Sequence, residues 1–195
     1  MQKIAQAVEP VYRTSPIYTS TIWQHVSRVA KFAEDFAVKL GLNRFIAEAG
    51  GWLHDLGAAK YGKDNHHVTG AQEAVPVLLS CDCPVELIGP IVSTIYSHRG
   101  SQRIAFKVPE AKCVAAADAQ DHFTNLNELW RVQVEDLGVP EILVYQTISE
   151  KLMRDWEKTD PEIRLLLDGA YKRAKQELLE ISSRNGRHKK RSRKS

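Results

Sequence analysis

Apolar residues recur at helical spacing along most of this 195-residue chain, and turn residues cut the pattern into helix-length pieces. Ile22, Val26, Val29, Ala33, Phe36 and Leu40 form one such stripe. No stretch shows the sustained two-residue alternation of a half-buried strand, so the sequence predicts an all-α fold: a compact multi-helix domain. A short helix opens residues 1–19 and leads into an extended arm with Pro10 and Pro16. The next helix spans Thr21 to Leu40, with Thr21 and Gln24 at capping-box spacing and Gly41 as its stop. Asn43 caps a third helix that reaches Leu56 and ends at Gly57. Residues 58–65 read as a polar loop. Helices follow over 66–80 and 84–98, which Pro76 and Pro90 should kink or shorten. After a loop over 99–108, Pro109 opens an alanine-rich helix. Three more lie near 125–137, 140–157 and 161–182, the last announced by Thr159, Asp160, Pro161 and Glu162. No repeat or linker divides residues 1–183, which read as one domain.

Charge sets the end of the chain apart. Residues 184–195 hold seven Lys or Arg and no acid, whereas the first 183 residues carry 20 basic and 24 acidic side chains. A segment with nothing apolar to bury is expected to be a disordered basic tail, able to make weak contacts with nucleic acid or acidic partners. No run approaches the roughly 20 apolar residues of a membrane span, and the first residues lack the apolar stretch of a signal peptide. Cys81, Cys83 and Cys113 are too few and odd in number for a disulfide framework. A cytoplasmic chain without membrane contact is the expectation. Cys81 and Cys83 could form half a soft-metal site, but no second pair completes it; small apolar residues at a helix junction is the plainer reading.

The stretch GGWLHDLGAAKY places His54 beside Asp55 in an otherwise apolar helix. Burying an imidazole and a carboxylate together is costly unless something pairs with both, and a cation would do so. Six of the seven histidines lie between residues 25 and 122. His25 borders an apolar stripe, His66 and His67 open a helix in HHVTGA, His98 ends one in IYSHRG, and Asp118 sits in AAADAQD. Singly, each has a structural reading as a core hydrogen-bonding group, a cap or a surface residue. Together they place imidazoles or carboxylates on five helices, a donor set that suits manganese, iron or zinc.

The stretches TIWQHVSRVAKFA, GGWLHDLG and CVAAADAQD, in that order, resemble the HD-domain metal-dependent phosphohydrolases over roughly residues 20–125. The resemblance implies that His25, His54, Asp55 and Asp118 hold one divalent ion. In two-ion members Asp55 bridges the pair, and two further histidines complete the second site. HHVTGA resembles the family's His-x-x-x-Gly-Ala segment and selects His66, with His67 as the alternative; IYSHRG supplies His98. The site would then hold one or two ions. The chain departs from several phosphodiesterase members in having Ala58 where they have a lysine, which weakens a role for the nearby Lys60. The Gly-Tyr-Pro signature of the cyclic-dinucleotide subclass is absent near His98.

The implied chemistry is hydrolysis of a phosphoester or phosphoanhydride by metal-activated water, with Asp55 orienting the nucleophile. The expected substrate is a small phosphorylated molecule, with a nucleotide favoured. Arg99 is the first candidate for holding its phosphates, because guanidinium matches phosphate geometry. Lys60, Arg28, Lys63 and Arg103 are further candidates. His122, one turn after Asp118, and Asp121 read as supporting hydrogen-bonding groups, and His188 belongs to the tail. The alternatives are a nucleic-acid-associated protein using its basic tail and a regulatory binding module. A purely structural helical protein would leave the His54–Asp55 pair unexplained.

Overall fold

The computed structural model describes residues 1–18, 21–99, 101–102 and 104–192, with side chains as far as residue 181. The chain is all-α, with no strand among the described residues. In order come α1 (Gln2–Arg13), α2 (Ile22–Lys39), α3 (Arg44–Leu53), α4 (Leu56–Tyr61), α5 (His66–Ser80), α6 (Val85–Ser97), α7 (Glu110–Thr124), α8 (Leu126–Arg131), a π-helical turn (Val132–Asp136), α9 (Glu141–Lys158) and α10 (Pro161–Ser192). No helix among the described residues is long and apolar enough to cross a membrane. The side chains of the basic tail, and residues 193–195 altogether, lie outside the described residues.

The helix boundaries follow local chemistry. Asn43 caps α3 by accepting from the amides of Phe45 (3.0 Å) and Ile46 (3.3 Å). Gly41, at φ +66°, lets the amide of Leu42 return to the carbonyl of Ala37 (2.8 Å) and closes α2. Asp160 accepts from the amide of Glu162 at the start of α10, with Pro161 in the first turn.

Four local expectations need correction. Thr21 makes no side-chain cap at the start of α2. Pro10 lies inside α1 rather than in an arm, because the helix continues to Arg13. Pro76 and Pro90 lie inside α5 and α6 without ending them; each loses one amide bond within a helix that tertiary packing holds. The third helix breaks at His54–Asp55, not at Gly57, and residues 56–61 form α4 rather than loop. Gly57 is needed there for a different reason. A Cβ at this position would lie 2.4 Å from the carbonyl oxygen of His66 and 2.5 Å from the amide of Gly70, so α4 and α5 cross at backbone contact.

The alanine-rich α7 is the axis of the fold. Ala111 and residues 113–119 are buried around its whole circumference, as expected of a helix enclosed by others. Its small side chains let α2, α3, α6, α9 and α10 pack directly on it. One apolar cluster joins α2, α3, α7, α8, α9 and α10; a second joins α1–α6, and α2 and α3 contribute to both. In α9, Val144, Ile148 and Leu152 form a buried stripe toward α7 that Asp155 continues. Burial of each apolar side chain stabilises by roughly 1.5–3 kcal/mol. That packing fixes the charged end of α9 against the polar end of α7.

Candidate metal centre

Five helical elements deliver the polar side chains to one cleft. His25 comes from α2, His54 and Asp55 from the turn between α3 and α4, His66 from the first residue of α5, His98 from the end of α6, and Asp118 from α7. Asp55 adopts φ −104° and ψ 14°, so the chain bends there and its carboxylate enters the cleft. The cleft has a volume of about 320 Å³, and His25, Asp55, His66, His98, Asp118 and His122 line it.

The imidazoles are fixed from behind. Nδ1 of His54 donates to the carbonyl of Gly51 (2.8 Å), that of His66 to Lys63 (2.8 Å) and that of His98 to Ile95 (2.6 Å). Nδ1 of His25 faces Asp121 at 2.7 Å, and that of His122 faces Asp155 at 2.9 Å. Carbonyl and carboxylate oxygens only accept, so the proton resides on Nδ1 and the Nε2 lone pairs point into the cleft.

Those lone pairs meet in two pairs. Nε2 of His25 and His54 are 3.2 Å apart, and Nε2 of His66 and His98 are 3.1 Å apart. Asp55 stands between the pairs with one oxygen for each. Oδ2 lies 3.8 Å from His25 and 3.7 Å from His54; Oδ1 lies 3.6 Å from His66 and 3.8 Å from His98. Asp118 Oδ1 joins the first pair, 3.5 Å from His25 and 4.0 Å from His54.

This donor set fits divalent ions. Two donors each about 2.1 Å from one ion, at bond angles of 90–130°, lie roughly 3–3.8 Å apart. Lone pairs facing each other at such distances repel unless a cation lies between them. The protonation preferences of His54, His98 and Asp55 agree. Burial lowers the pKa of His54, and burial with the charges of His54 and His66 lowers that of His98 well below the ordinary value. Burial alone would raise Asp55, but His54, His66, His25 and His98 outweigh it and hold the carboxyl below its usual range. Burial opposes charge on His25 as well; there Asp121, Asp118 and Asp55 prevail and raise its pKa.

The remaining candidates separate clearly. His67 turns away from the cleft toward Tyr96 and lies 3.4 Å from the Arg99 guanidinium, leaving His66 as the inward residue. Arg99 lines the cleft and donates to Ser101 at 2.6 Å. Lys60 does not line it; its ammonium pairs with Glu73 on the outer surface. Arg28 is held behind His25, with Nε 2.5 Å from Asp121 and NH2 2.5 Å from Glu128. Both lysine and arginine were substrate candidates on sequence, and neither side chain is presented to the cleft. Arg103 lies outside the described residues. Cys81 and Cys83 are free thiols at the α5–α6 junction, where Asp82 between them pairs with Lys3 at 2.7 Å.

Several participants were missed or underrated in the sequence. His122 Nε2 lies 3.4 Å from Asp118 Oδ1, so His25, Asp118 and His122 form a third donor group beside the first pair. The signal was present: Asp118, Asp121 and His122 share one face of α7 at i, i+3 and i+4. Lys158 had no such signal. Its ammonium reaches Asp118 Oδ2 at 2.5 Å and Asp155 at 3.2 Å. Burial alone would discharge it, but the two carboxylates keep it charged. Asp118 therefore offers only Oδ1 to the cleft.

A family model described as the HD domain matches residues 22–121, just over half of the chain. Ribonuclease Y of Thermotoga petrophila is 37% identical over 110 residues, covering 55% of this chain and 19% of that protein. Ribonuclease Y of Fervidobacterium nodosum is 33% identical over 114 residues with the same coverages. Ribonuclease Y 2 of Levilactobacillus brevis is 28% identical over 152 residues, 71% of this chain and 26% of that protein. The chain thus spans only about a fifth to a quarter of these curated relatives. No solved structure matches it.

Proposed function

This chain belongs to the HD-domain family of metal-dependent phosphohydrolases, and we propose that it cleaves a phosphoester or phosphoanhydride bond of a nucleotide-sized substrate at a two-ion centre. The observation that carries this reading is the placement of Asp55, one oxygen toward each pair of imidazole nitrogens. His25, His54, Asp55 and Asp118 would hold one ion, with His122 in reach; His66, His98 and Asp55 would hold the other. Ions bound there lower the pKa of water and offset charge developing on phosphate. The protein's part is orientation. Backbone carbonyls and carboxylates fix the imidazoles before substrate arrives, and Asp55 accepts the hydrogen bond that aims the attacking water. Arg99 donates to phosphate oxygens at the cleft edge. A cleft of about 320 Å³ lies in the range of small-molecule sites, which favours a nucleotide over a polymer. The three free cysteines suit a cytoplasmic setting.

RNA is a second reading, favoured by the similarity to ribonuclease Y over 110 residues. The test is elemental analysis of the purified chain followed by two assays: phosphate or pyrophosphate release from a nucleotide panel, and cleavage of a labelled oligoribonucleotide. Close to two transition-metal ions per chain with turnover of nucleotides supports the first reading. Fragmentation of the oligonucleotide without nucleotide turnover replaces it with the second. Failure to bind manganese, iron or zinc would overturn both.

A further inference from the structure

The cleft carries more positive charge than its metal centre uses. Its carboxylates are already committed: Asp55 and Asp118 face the imidazoles, Asp121 is held by His25 and Arg28, Glu128 by Arg28, and Asp155 by His122 and Lys158. Four cations at the cleft lack a comparable partner. Lys63 has no carboxylate within 4 Å among the described residues. Arg99 meets only Ser101 and His67. Lys151 approaches Asp155 no closer than 3.6 Å, sharing it with Lys158 and His122. Arg154 has only Glu150, 3.8 Å away on the exposed face of α9, a pairing that contributes little in water. All four line the cleft.

They also crowd one another. Lys63 stands on the α4–α5 loop and Lys151 and Arg154 stand on α9, and all three border the same cleft. The α4–α5 loop and α9 thus face each other across the cleft with like charges. The backbone holds both sides in place: the Lys63 carbonyl accepts from His66, and the buried stripe of α9 packs on α7. Mutual repulsion without compensation costs stability, and an anion placed between these groups would relieve it.

We propose that Lys63, Lys151 and Arg154 form a second anion subsite, which takes a further phosphate of a substrate bearing two or more phosphates while another lies at the metal centre. The proposal rests on the phosphohydrolase reading above and narrows its substrate to the polyphosphorylated small molecules. A single phosphate at two ions leaves these cations unmatched; a phosphate chain or a bisphosphate matches them. Lys151 and Arg154 lie on α9, beyond the matched segment 22–121, so this specificity is supplied by the chain's own C-terminal helices.

The test is calorimetric titration of the full chain, stripped with chelator, with inorganic tripolyphosphate, orthophosphate and a short oligoribonucleotide. Wild type is expected to bind tripolyphosphate at least about tenfold tighter than orthophosphate. Lys151→Gln combined with Arg154→Gln should lose about tenfold for tripolyphosphate and less than about twofold for orthophosphate. Arg154→Gln alone, on an exposed side chain, guards against a folding defect and should give a smaller loss of the same kind. Equal affinity for the two phosphates, or a double variant indistinguishable from wild type, overturns the subsite. So does an oligoribonucleotide that binds more tightly than tripolyphosphate and loses as much in the variant, because the cations then serve an RNA backbone. Metal content measured on the same preparations before the chelator is added bears on the phosphohydrolase reading alone, so the two can fail separately.

Discussion

The two halves of the metal centre are built from the same residue type and differ in what stands behind it. His25 and His54 share their space with two carboxylates, Asp55 and Asp118, and a third, Asp121, backs His25 at 2.7 Å. His66 and His98 share only Asp55 and are backed by the neutral carbonyls of Lys63 and Ile95. A cation in the first half meets more negative charge and more basic imidazole than one in the second. Affinity should therefore be unequal, the first half holding its ion firmly and the second exchanging it. Among the described residues only Asp55 belongs to both, and it couples them.

The largest effect follows from that sharing. Asp55→Ala removes the bridge, and phosphate release should fall about a thousandfold or more, the scale of several kcal/mol of lost charge stabilisation. Elemental analysis of the variant should show both ions depleted; one ion retained in full would mean that Asp55 serves one half only. Next in size is the asymmetry itself. His66→Ala and His98→Ala should each leave about one ion per chain and lose most turnover. Graded chelation of wild type should show a first ion released well before the second. Simultaneous release of both would break the comparison.

The sequence made the first half easier to read than the second, for a physical reason. Adjacent His54 and Asp55 in an apolar helix need a partner wherever the chain folds, so the pair signals itself. His66 and His67 are neighbours at the start of α5, and only the direction of α5 against α6 turns one toward His98 and the other toward Tyr96. Helix periods were legible because α2, α5 and α6 each bury one face. The break at His54–Asp55 was not, since Gly57 looks like a stop and is instead a crossing point. Lys158 and Asp155 were invisible: charged residues on a charged helix announce nothing until α9 is laid against α7.

A smaller effect isolates the charge behind His25. Asp121→Asn keeps the shape and removes the charge, and should weaken the ion of the first half about 10- to 100-fold while sparing the second. Acid titration gives an independent reading on metal-free protein. Burial alone would raise Asp121, but His25 and Arg28 outweigh it and lower its carboxyl to about 2, against 3.8 ordinarily. A depressed carboxylate stabilises the fold above its unfolded pKa and loses that contribution as pH falls through the folded one. Wild type should therefore forfeit about 2 kcal/mol from this group between pH 5 and pH 2. The stability gap between wild type and Asp121→Asn should close over the same window in chemical denaturation, and a constant gap would assign Asp121 no titrating role.

The smallest expected effect tests the outer edge of the second half. Lys60 lies three residues before Lys63, yet its ammonium is neutralised by Glu73, which also accepts from Tyr61 at 2.6 Å. An exposed pair of this kind contributes little, so Lys60→Met should change stability by less than about 0.5 kcal/mol. Turnover and ion content should stay within about twofold of wild type, because no Lys60 atom borders the cleft. A tenfold fall in turnover would instead bring Lys60 to the substrate. It would mean that the second half draws on charge from the α4 surface, and that its carbonyl-backed histidines are less alone than their neighbours suggest.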